Sequence, residues 1–113
     1  MTPERQQFLE DVMTTAIEGG INYWAQVSKV DAPKGYVWIR EREDSGEPLG
    51  RMPFSVLDIE LGITRVGMSD FQVGKDIRGW ILTGSAENDA GDIDVDAADV
   101  IVQAAIFEEI VYG

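Results

Sequence analysis

The sequence has no cysteine and no histidine among its 113 residues. The lack of cysteine excludes a disulfide framework and thiolate chemistry. The lack of histidine removes the commonest general base at neutral pH and the commonest ligand of transition metals. The sequence also has no phosphate-binding loop and no zinc-ligand spacing. We therefore expect no enzymatic activity, no catalytic residue, no cofactor and no metal site, although a hydrolase that uses only carboxylates stays open because acids are plentiful.

Long apolar runs are missing as well. No stretch approaches the roughly 18 apolar residues that a membrane-spanning helix needs. Residues 1–5 lack the basic and then apolar layout of a secretory signal. We expect a cytoplasmic protein that makes no membrane contact. A length of 113 residues with 44% hydrophobic side chains fits one domain over residues 1–113.

Positive charge is scarce and unevenly placed. The chain has 21 acidic and 9 basic residues, for a net charge of −12. Every lysine and arginine lies at or before Arg78, and every charged residue from Gly79 to Gly113 is acidic. Such a segment would repel phosphate rather than release counterions, so direct nucleic-acid binding is disfavoured. It suits a basic protein partner, or it only keeps the protein soluble.

The first part of the chain predicts a helix followed by a glycine pair. Apolar residues recur at helical spacing over residues 3–18, and Thr2 is a suitable N-cap. Gly19 or Gly20 is predicted to end this helix with a left-handed φ.

A β-hairpin is predicted next. Apolar and polar residues alternate from Ile21, and the aromatic and β-branched run 36–39 is typical of a second strand. The turn-forming segment 31–35 between them indicates an antiparallel hairpin. Charged residues 40–44 favour a solvated strand end, and residues 45–50 favour a loop.

Helical spacing returns after the hairpin. Ser55 is predicted to cap a second helix, with Phe54 before it as a hydrophobic staple. Gly62 within this helix fits close packing, and Gly67 is predicted to end the helix.

Two more helices complete the predicted fold. The third covers about 72–83 with Trp80 and Ile81 facing inward, and the last begins near Asp96 with Asp99 in a carboxylate capping box. The predicted class is α+β: an N-terminal helix, an antiparallel β-hairpin, then about three helices packed on one face.

Glu18, Asn22, Tyr23 and Trp24 form the most chemically varied stretch, with a carboxylate, an amide, a phenol and an indole. In a strand that starts at Ile21, Asn22 and Trp24 share one face, with Glu18 close by. These four side chains are candidates for binding a small planar molecule or a nucleotide. The alternative is a capped corner, in which Trp24 is packed and Asn22 satisfies backbone groups.

Asp92, Asp94 and Asp96 alternate as in a calcium-binding loop. That loop requires glycine where this chain has Ala97 and a bidentate glutamate where it has Gln103. We therefore predict no calcium site, with an acidic, helix-capping loop as the simpler interpretation.

Five other acids are candidates for partner binding: Glu87, Asp89, Asp92, Glu108 and Glu109. The last two lie near a predicted helix C-terminus, where the macrodipole disfavours acids, so local stability does not explain them. We expect these acids to form a surface for a basic, nucleic-acid-binding protein, as in a phage-type inhibitor that imitates nucleic-acid charge. The alternatives are a surface that only solubilises the protein and the small-molecule site above; a homo-oligomer also stays open.

Both ends of the chain carry a resemblance. The stretches concerned are Glu18-Gly19-Gly20-Ile21-Asn22-Tyr23-Trp24, Asp96-Ala97-Ala98-Asp99-Val100-Ile101-Val102-Gln103 and Ile110-Val111-Tyr112-Gly113. They resemble a family of small proteins of actinobacteria and their phages, over nearly the full length. The family has a glycine near Glu108, and this chain departs from it there. The resemblance implies an actinobacterial or phage setting and no particular activity.

Overall fold

A computed structural model describes residues 1–31, 36–42 and 52–113. The elements are α1 (Pro3–Thr15), a π-turn (Ala16–Gly20), β1 (Ala25–Asp31), β2 (Tyr36–Glu41), β3 (Met52–Ser55), α2 (Val56–Val66), α3 (Lys75–Glu87) and α4 (Val95–Phe107). This order confirms the predicted α+β class. The predicted turn after Asp31, the strand end beyond Arg42 and the loop over 45–50 lie outside the described residues. Within the described ranges, no helix is both long and apolar enough to cross a membrane.

The sheet has one strand more than predicted. β1 and β2 pair antiparallel, with Val27 opposite Ile39, which confirms the hairpin. β3 then pairs antiparallel with β2, so that Phe54 lies opposite Val37. Strand β3 has little signal in the sequence, because the strand is only four residues long and contains Pro53. Proline is tolerated there because β3 is the last strand in the order β1-β2-β3, where a missing N–H leaves no ladder bond unmade.

Helix α4 lies at the centre of the helical layer. Every residue over 97–104 is buried, as expected for a helix covered on all sides. Helix α2 packs closely against it, since a Cβ added at Gly62 would lie 2.2 Å from the Ile101 carbonyl oxygen. The predicted packing role of Gly62 is confirmed.

The glycine pair does not adopt the predicted left-handed conformation. Gly19 and Gly20 belong to the π-turn, and the positive-φ glycine within the described residues is Gly113. A Cβ added at Gly20 would lie 2.8 Å from the Val95 carbonyl oxygen, and one at Gly19 would lie 3.0 Å from Val95 Cγ1. Gly20 is therefore required because the backbone at the start of α4 approaches it closely, whereas Gly19 contacts only the Val95 side chain.

The first strand starts later than predicted. The Trp24 and Ala25 N–H groups donate to the Ile21 carbonyl at 3.1 and 2.9 Å, so residues 21–24 form a turn. Strand β1 begins only at Ala25. The alternation from Ile21 therefore does not mark a strand, since these backbone groups bond locally rather than across strands.

Two details of the later helices also differ. Helix α3 packs through Ile81 and Gly84, whereas Trp80 is 47% exposed rather than inward. Helix α4 is capped by Asp94, whose Oδ1 accepts the Ala97 N–H at 2.9 Å. The predicted capping box at Asp96 and Asp99 is therefore wrong. In contrast, Ser55 caps α2 as predicted, since its hydroxyl accepts the Leu57 N–H at 3.2 Å.

Candidate functional site

A buried carboxylate lies where α4 meets the turn before β1. Asp99 is 8% exposed, and its Oδ2 accepts a hydrogen bond from the Tyr23 hydroxyl at 2.6 Å. Its Oδ1 accepts from Trp24 Nε1 at 2.8 Å and from Gln103 Nε2 at 2.9 Å. These three donors offset the cost of removing a carboxylate from water. Asp99 therefore has a role that the sequence analysis missed.

Gln103 continues this network toward the residues that follow α4. It is fully buried, and its Oε1 accepts the N–H groups of Val111 and Tyr112, both at 2.8 Å. Its Nε2 also donates to the Tyr112 carbonyl at 3.1 Å. The side-chain amide thus both accepts from and donates to the backbone after α4, as the backbone of a neighbouring strand would. A signal was available in the sequence, since Asp99 and Gln103 are four residues apart on a helix whose other residues, apart from Asp96, are apolar.

Three aromatic rings pack together beside this hydrogen-bond network. The Trp24 and Tyr112 rings are stacked, with centroids 5.0 Å apart and planes 6° apart. Phe107 lies 5.4 Å from the Trp24 ring. The Tyr112 hydroxyl donates to a carboxylate oxygen of Glu41 on β2. The rings therefore join the hairpin, the turn and the segment after α4.

A half-open cleft of about 570 Å³ lies beside this network. Its walls come from Tyr23, residues 72–74, Ile77, Asp96, residues 99–100, Gln103, Ile110 and residues 112–113. The Tyr23 ring is 55% exposed, but its hydroxyl is turned inward to Asp99. Burial of that hydroxyl, followed by the hydrogen bond to Asp99, raises the pKa of Tyr23. Tyr23 therefore stays protonated and keeps donating to the carboxylate.

The structure separates the four predicted ligand-binding residues. Tyr23 lines the cleft, whereas Trp24 is 2% exposed and packed beneath it. Asn22 and Glu18 are exposed, and Asn22 Nδ2 donates to the Glu18 backbone carbonyl at 3.3 Å. Asn22 and Trp24 do not share a face, because residues 21–24 form a turn. This geometry is that of the capped corner.

The five predicted partner-binding acids also fall into two groups. Glu87 ends α3, and Asp89 and Asp92 lie between α3 and α4, whereas Glu108 and Glu109 follow the last residue of α4. The helix between them has 13 residues and spans about 20 Å. The first three acids therefore precede α4 and the last two follow it, and the prediction that all five bind one partner stays a prediction.

Glu108 has a local role that the sequence analysis did not foresee. Its Oε1 lies 3.0 Å from Arg65 Nη2. Arg65 Nη1 also donates to the carbonyls of Ala104 and Ala105 at 3.1 and 2.6 Å. The guanidinium thus covers the unpaired carbonyls of the last turn of α4, and Glu108 balances its charge. The expectation that this acid gains nothing locally is wrong.

The start of α4 carries a different arrangement, which we call the acidic end. Its exposed acids are Glu4, Asp11, Glu18, Glu87, Asp89, Asp92, Asp94 and Asp96. Glu4 and Asp11 on α1 line a shallow groove together with Asn88, and Gly19 beside Glu18 contacts Val95. Val95 itself is 46% exposed.

The cation that borders the acidic end is already paired. Arg5 bonds Glu60 through two nitrogens, and its Nη1 donates to the Ser85 carbonyl and to Asn88 Oδ1. The groove between α1 and Asn88 is lined, among the described residues, by no lysine or arginine. The acidic end therefore carries negative charge that no cation lining this groove balances, and it includes the exposed Val95.

The alternating aspartates do not form a cage. Asp94 is occupied by capping α4, and the described part of the chain has no group of three acidic side chains that could hold a metal ion.

Comparison of the chain with protein-family models, with curated proteins and with solved structures gives no match.

Proposed function

We propose that this protein is a non-enzymatic interaction protein that docks a basic, nucleic-acid-binding protein on its acidic end. It then acts as an inhibitor, because its carboxylates occupy the groups that the partner uses to bind phosphate. The observation that carries the proposal is the exposed side chain of Val95 at the start of α4, with the exposed acids Asp94 and Asp96 on either side of it in the chain.

This arrangement has the anatomy of an interface. Specific interfaces combine a small apolar centre with a polar, solvent-accessible rim. Val95 supplies such a centre, and Asp92, Asp94 and Asp96 surround it in the chain. A rim of one charge sign attracts a basic partner over long range and accelerates association.

The other end of α4 is not part of the proposed surface. Glu108 is engaged by Arg65, so part of its charge is already balanced. This difference makes a matched pair of variants possible, in which the same number of charges is removed from either end of α4.

The test starts from the protein recovered from a host lysate with its partner. E87Q/D92N removes two charges from the acidic end, and E108Q/E109Q removes two charges from the other end. We expect E87Q/D92N to slow association by a factor on the order of ten and to reduce its salt dependence. We expect E108Q/E109Q to bind as the native protein does.

The inhibition itself is measured with the purified partner and a duplex DNA. The native protein should release the DNA from the partner, and E87Q/D92N should do so only at higher concentration. Equal effects of both double variants, or a partner that keeps its DNA while bound, would contradict the proposal.

A second candidate is favoured by the cleft beside Asp99. A small molecule there would meet the face of Tyr23 and the carboxylate of Asp96. These acids repel phosphate, so a small molecule with an amine suits the cleft better than a nucleotide. Native mass spectrometry of the purified protein should then show a bound mass that Ile77→Trp removes by filling the cleft. The same Ile77→Trp variant should leave the partner bound to the acidic end.

A further inference from the structure

The cleft beside Asp99 has few polar groups that a ligand can still use. Asp99 already accepts three hydrogen bonds, and the Tyr23 hydroxyl is one of the three donors. Gln103 is fully buried, and both ends of its side-chain amide are bonded within the fold. A ligand would have to break these bonds to pair with any of the three side chains. They are therefore poor hydrogen-bonding partners for a molecule in the cleft.

Asp96 is the exception. Its side chain is exposed and lines the cleft, and it makes no hydrogen bond or ion pair within the part of the chain that the structure describes. Burial and the bond to Asp99 raise the pKa of Tyr23 most, and the charge of Asp96 adds to this rise, so Asp96 lies near Tyr23. Among the described residues, no lysine or arginine lines the cleft. Asp96 therefore places an unbalanced negative charge beside a partly exposed aromatic ring.

Much of the remaining wall is apolar. Val73 and Ile77 line the cleft at the start of α3, and Val100 and Ile110 line it within and after α4. Such walls suit an apolar ligand body, and a volume of about 570 Å³ is in the range of sites for small organic molecules. A sugar or a nucleotide would bring many polar groups that find no free partner here.

We propose that the cleft binds an amine that has a single positive charge and an apolar body. The ammonium group pairs with the Asp96 carboxylate and lies against the face of Tyr23, while the body packs on the apolar walls. A charge-assisted hydrogen bond and a cation–π contact then act on the same group. This inference rests on the second candidate under the proposed function, because it names the ligand of that site. Docking at the acidic end is tested with E87Q/D92N, which keeps Asp96, so that proposal holds or fails separately.

Isothermal titration calorimetry of the full chain with phenethylamine and phenethyl alcohol tests the charge requirement. The two probes share one apolar body, and only the amine is cationic at neutral pH. We expect the amine to bind at least about tenfold more tightly, because an opposite charge at contact distance is strongly favourable beside a protein surface. Ethylamine lacks the aromatic body and should bind at least about tenfold more weakly than phenethylamine.

Two results of this titration would overturn the inference. An alcohol that binds as tightly as the amine would leave the cleft as a site for an uncharged molecule, so the second candidate would stand without the amine. Absence of binding by all three probes would also overturn it. The second candidate would then depend on the bound mass found by native mass spectrometry alone.

Asp96→Asn and Asp92→Asn provide a matched pair of variants. Each removes one exposed carboxylate near the start of α4, but of the two only Asp96 lines the cleft. Asp96→Asn should weaken phenethylamine at least about tenfold and leave the alcohol unchanged, whereas Asp92→Asn should bind both probes as the native protein does. Circular dichroism and thermal melts establish that both variants are folded. Equal weakening by the two substitutions would mean that the amine responds to the net charge of the chain, and would overturn the assignment to Asp96.

Discussion

The acidic residues along α4 differ in whether they have bonding partners within the fold. At its start, the exposed acids Asp94 and Asp96 flank Val95 in the chain, and Arg5 on α1 is paired with Glu60. Asp99, one turn inside the helix, and Glu108, after its last residue, each have partners within the fold. Acids that look alike in the sequence thus fall into two classes. Some accept hydrogen bonds or ion pairs within the fold, and others are exposed and available to bind a partner. Burial and hydrogen bonding, rather than charge density, make this distinction.

The largest expected effect compares two acids on the same helix. Asp99→Ala leaves Trp24 Nε1 and Gln103 Nε2 without their buried acceptor. We expect a loss of about 3 kcal/mol in the free energy of unfolding. Asp96→Ala changes an exposed acid and should cost less than about 0.5 kcal/mol. Urea denaturation measures both, and equal losses would mean that Asp99 is not the structural acid of the pair.

A smaller effect concerns how tightly the start of α4 is held. A Cβ at Gly20 would lie 2.8 Å from the Val95 carbonyl oxygen, so Gly20→Ala should destabilise the protein by about 1–3 kcal/mol. A Cβ at Gly79 meets no atom within 4 Å. Gly79→Ala should therefore stabilise α3 by about 0.5–1 kcal/mol. Thermal melts of the two variants should shift in opposite directions, and a stabilising Gly20→Ala would contradict the close approach.

The smallest effect concerns the ion pair beside the acidic end. The hydrogen bond from Arg5 lowers the pKa of Glu60 below its usual value. The folded state therefore binds this proton less readily than the unfolded chain. The resulting stability is fully present above the ordinary glutamate pKa and is lost as the pH falls through the lowered folded value.

Acid titration of stability checks this contribution. Glu60→Gln removes it, so the variant should lose less stability on acidification than the native protein does. Glu109→Gln, at an exposed acid for which the structure shows no bond, is the control and should keep the native acid limb. Identical acid limbs for Glu60→Gln and the native chain would contradict the lowered pKa. Because both partners are partly exposed, we expect a modest change.

Periodicity and capping chemistry were sufficient to predict the order of the helices and the hairpin. The helical stripe of α1, the hairpin pairing and the Ser55 cap all follow from local rules that the tertiary fold did not override. Strand β3 could not be predicted, since a four-residue strand with Pro53 has almost no local signal. The conformation of the glycine pair could not be predicted, because small residues are needed there to make room for Val95, which lies far away in the chain.

The site was less accessible to sequence reasoning. Tyr23 and Trp24 were recognised as unusual side chains, but their partners Asp99 and Gln103 come from a distant helix. Only the tertiary fold brings them together. Asp99 was assigned to a cap because an acid near a helix start usually has that role. Burial of an acid one turn inside a helix depends on what packs against that helix, which local patterns do not contain.

The hydrogen bonds from the Val111 and Tyr112 N–H groups to Gln103 have a consequence for hydrogen exchange. Residues 110–113 have no regular secondary structure, and an irregular segment of this kind normally exchanges its amide protons quickly. Here both N–H groups end on a side chain that is itself fully buried in α4. Their protons exchange only when the hydrogen bonds to the side-chain amide of Gln103 break. Breaking these bonds also disturbs the environment of Asp99. Two amides outside any helix or strand should thus be protected almost as strongly as the core, and should lose that protection together.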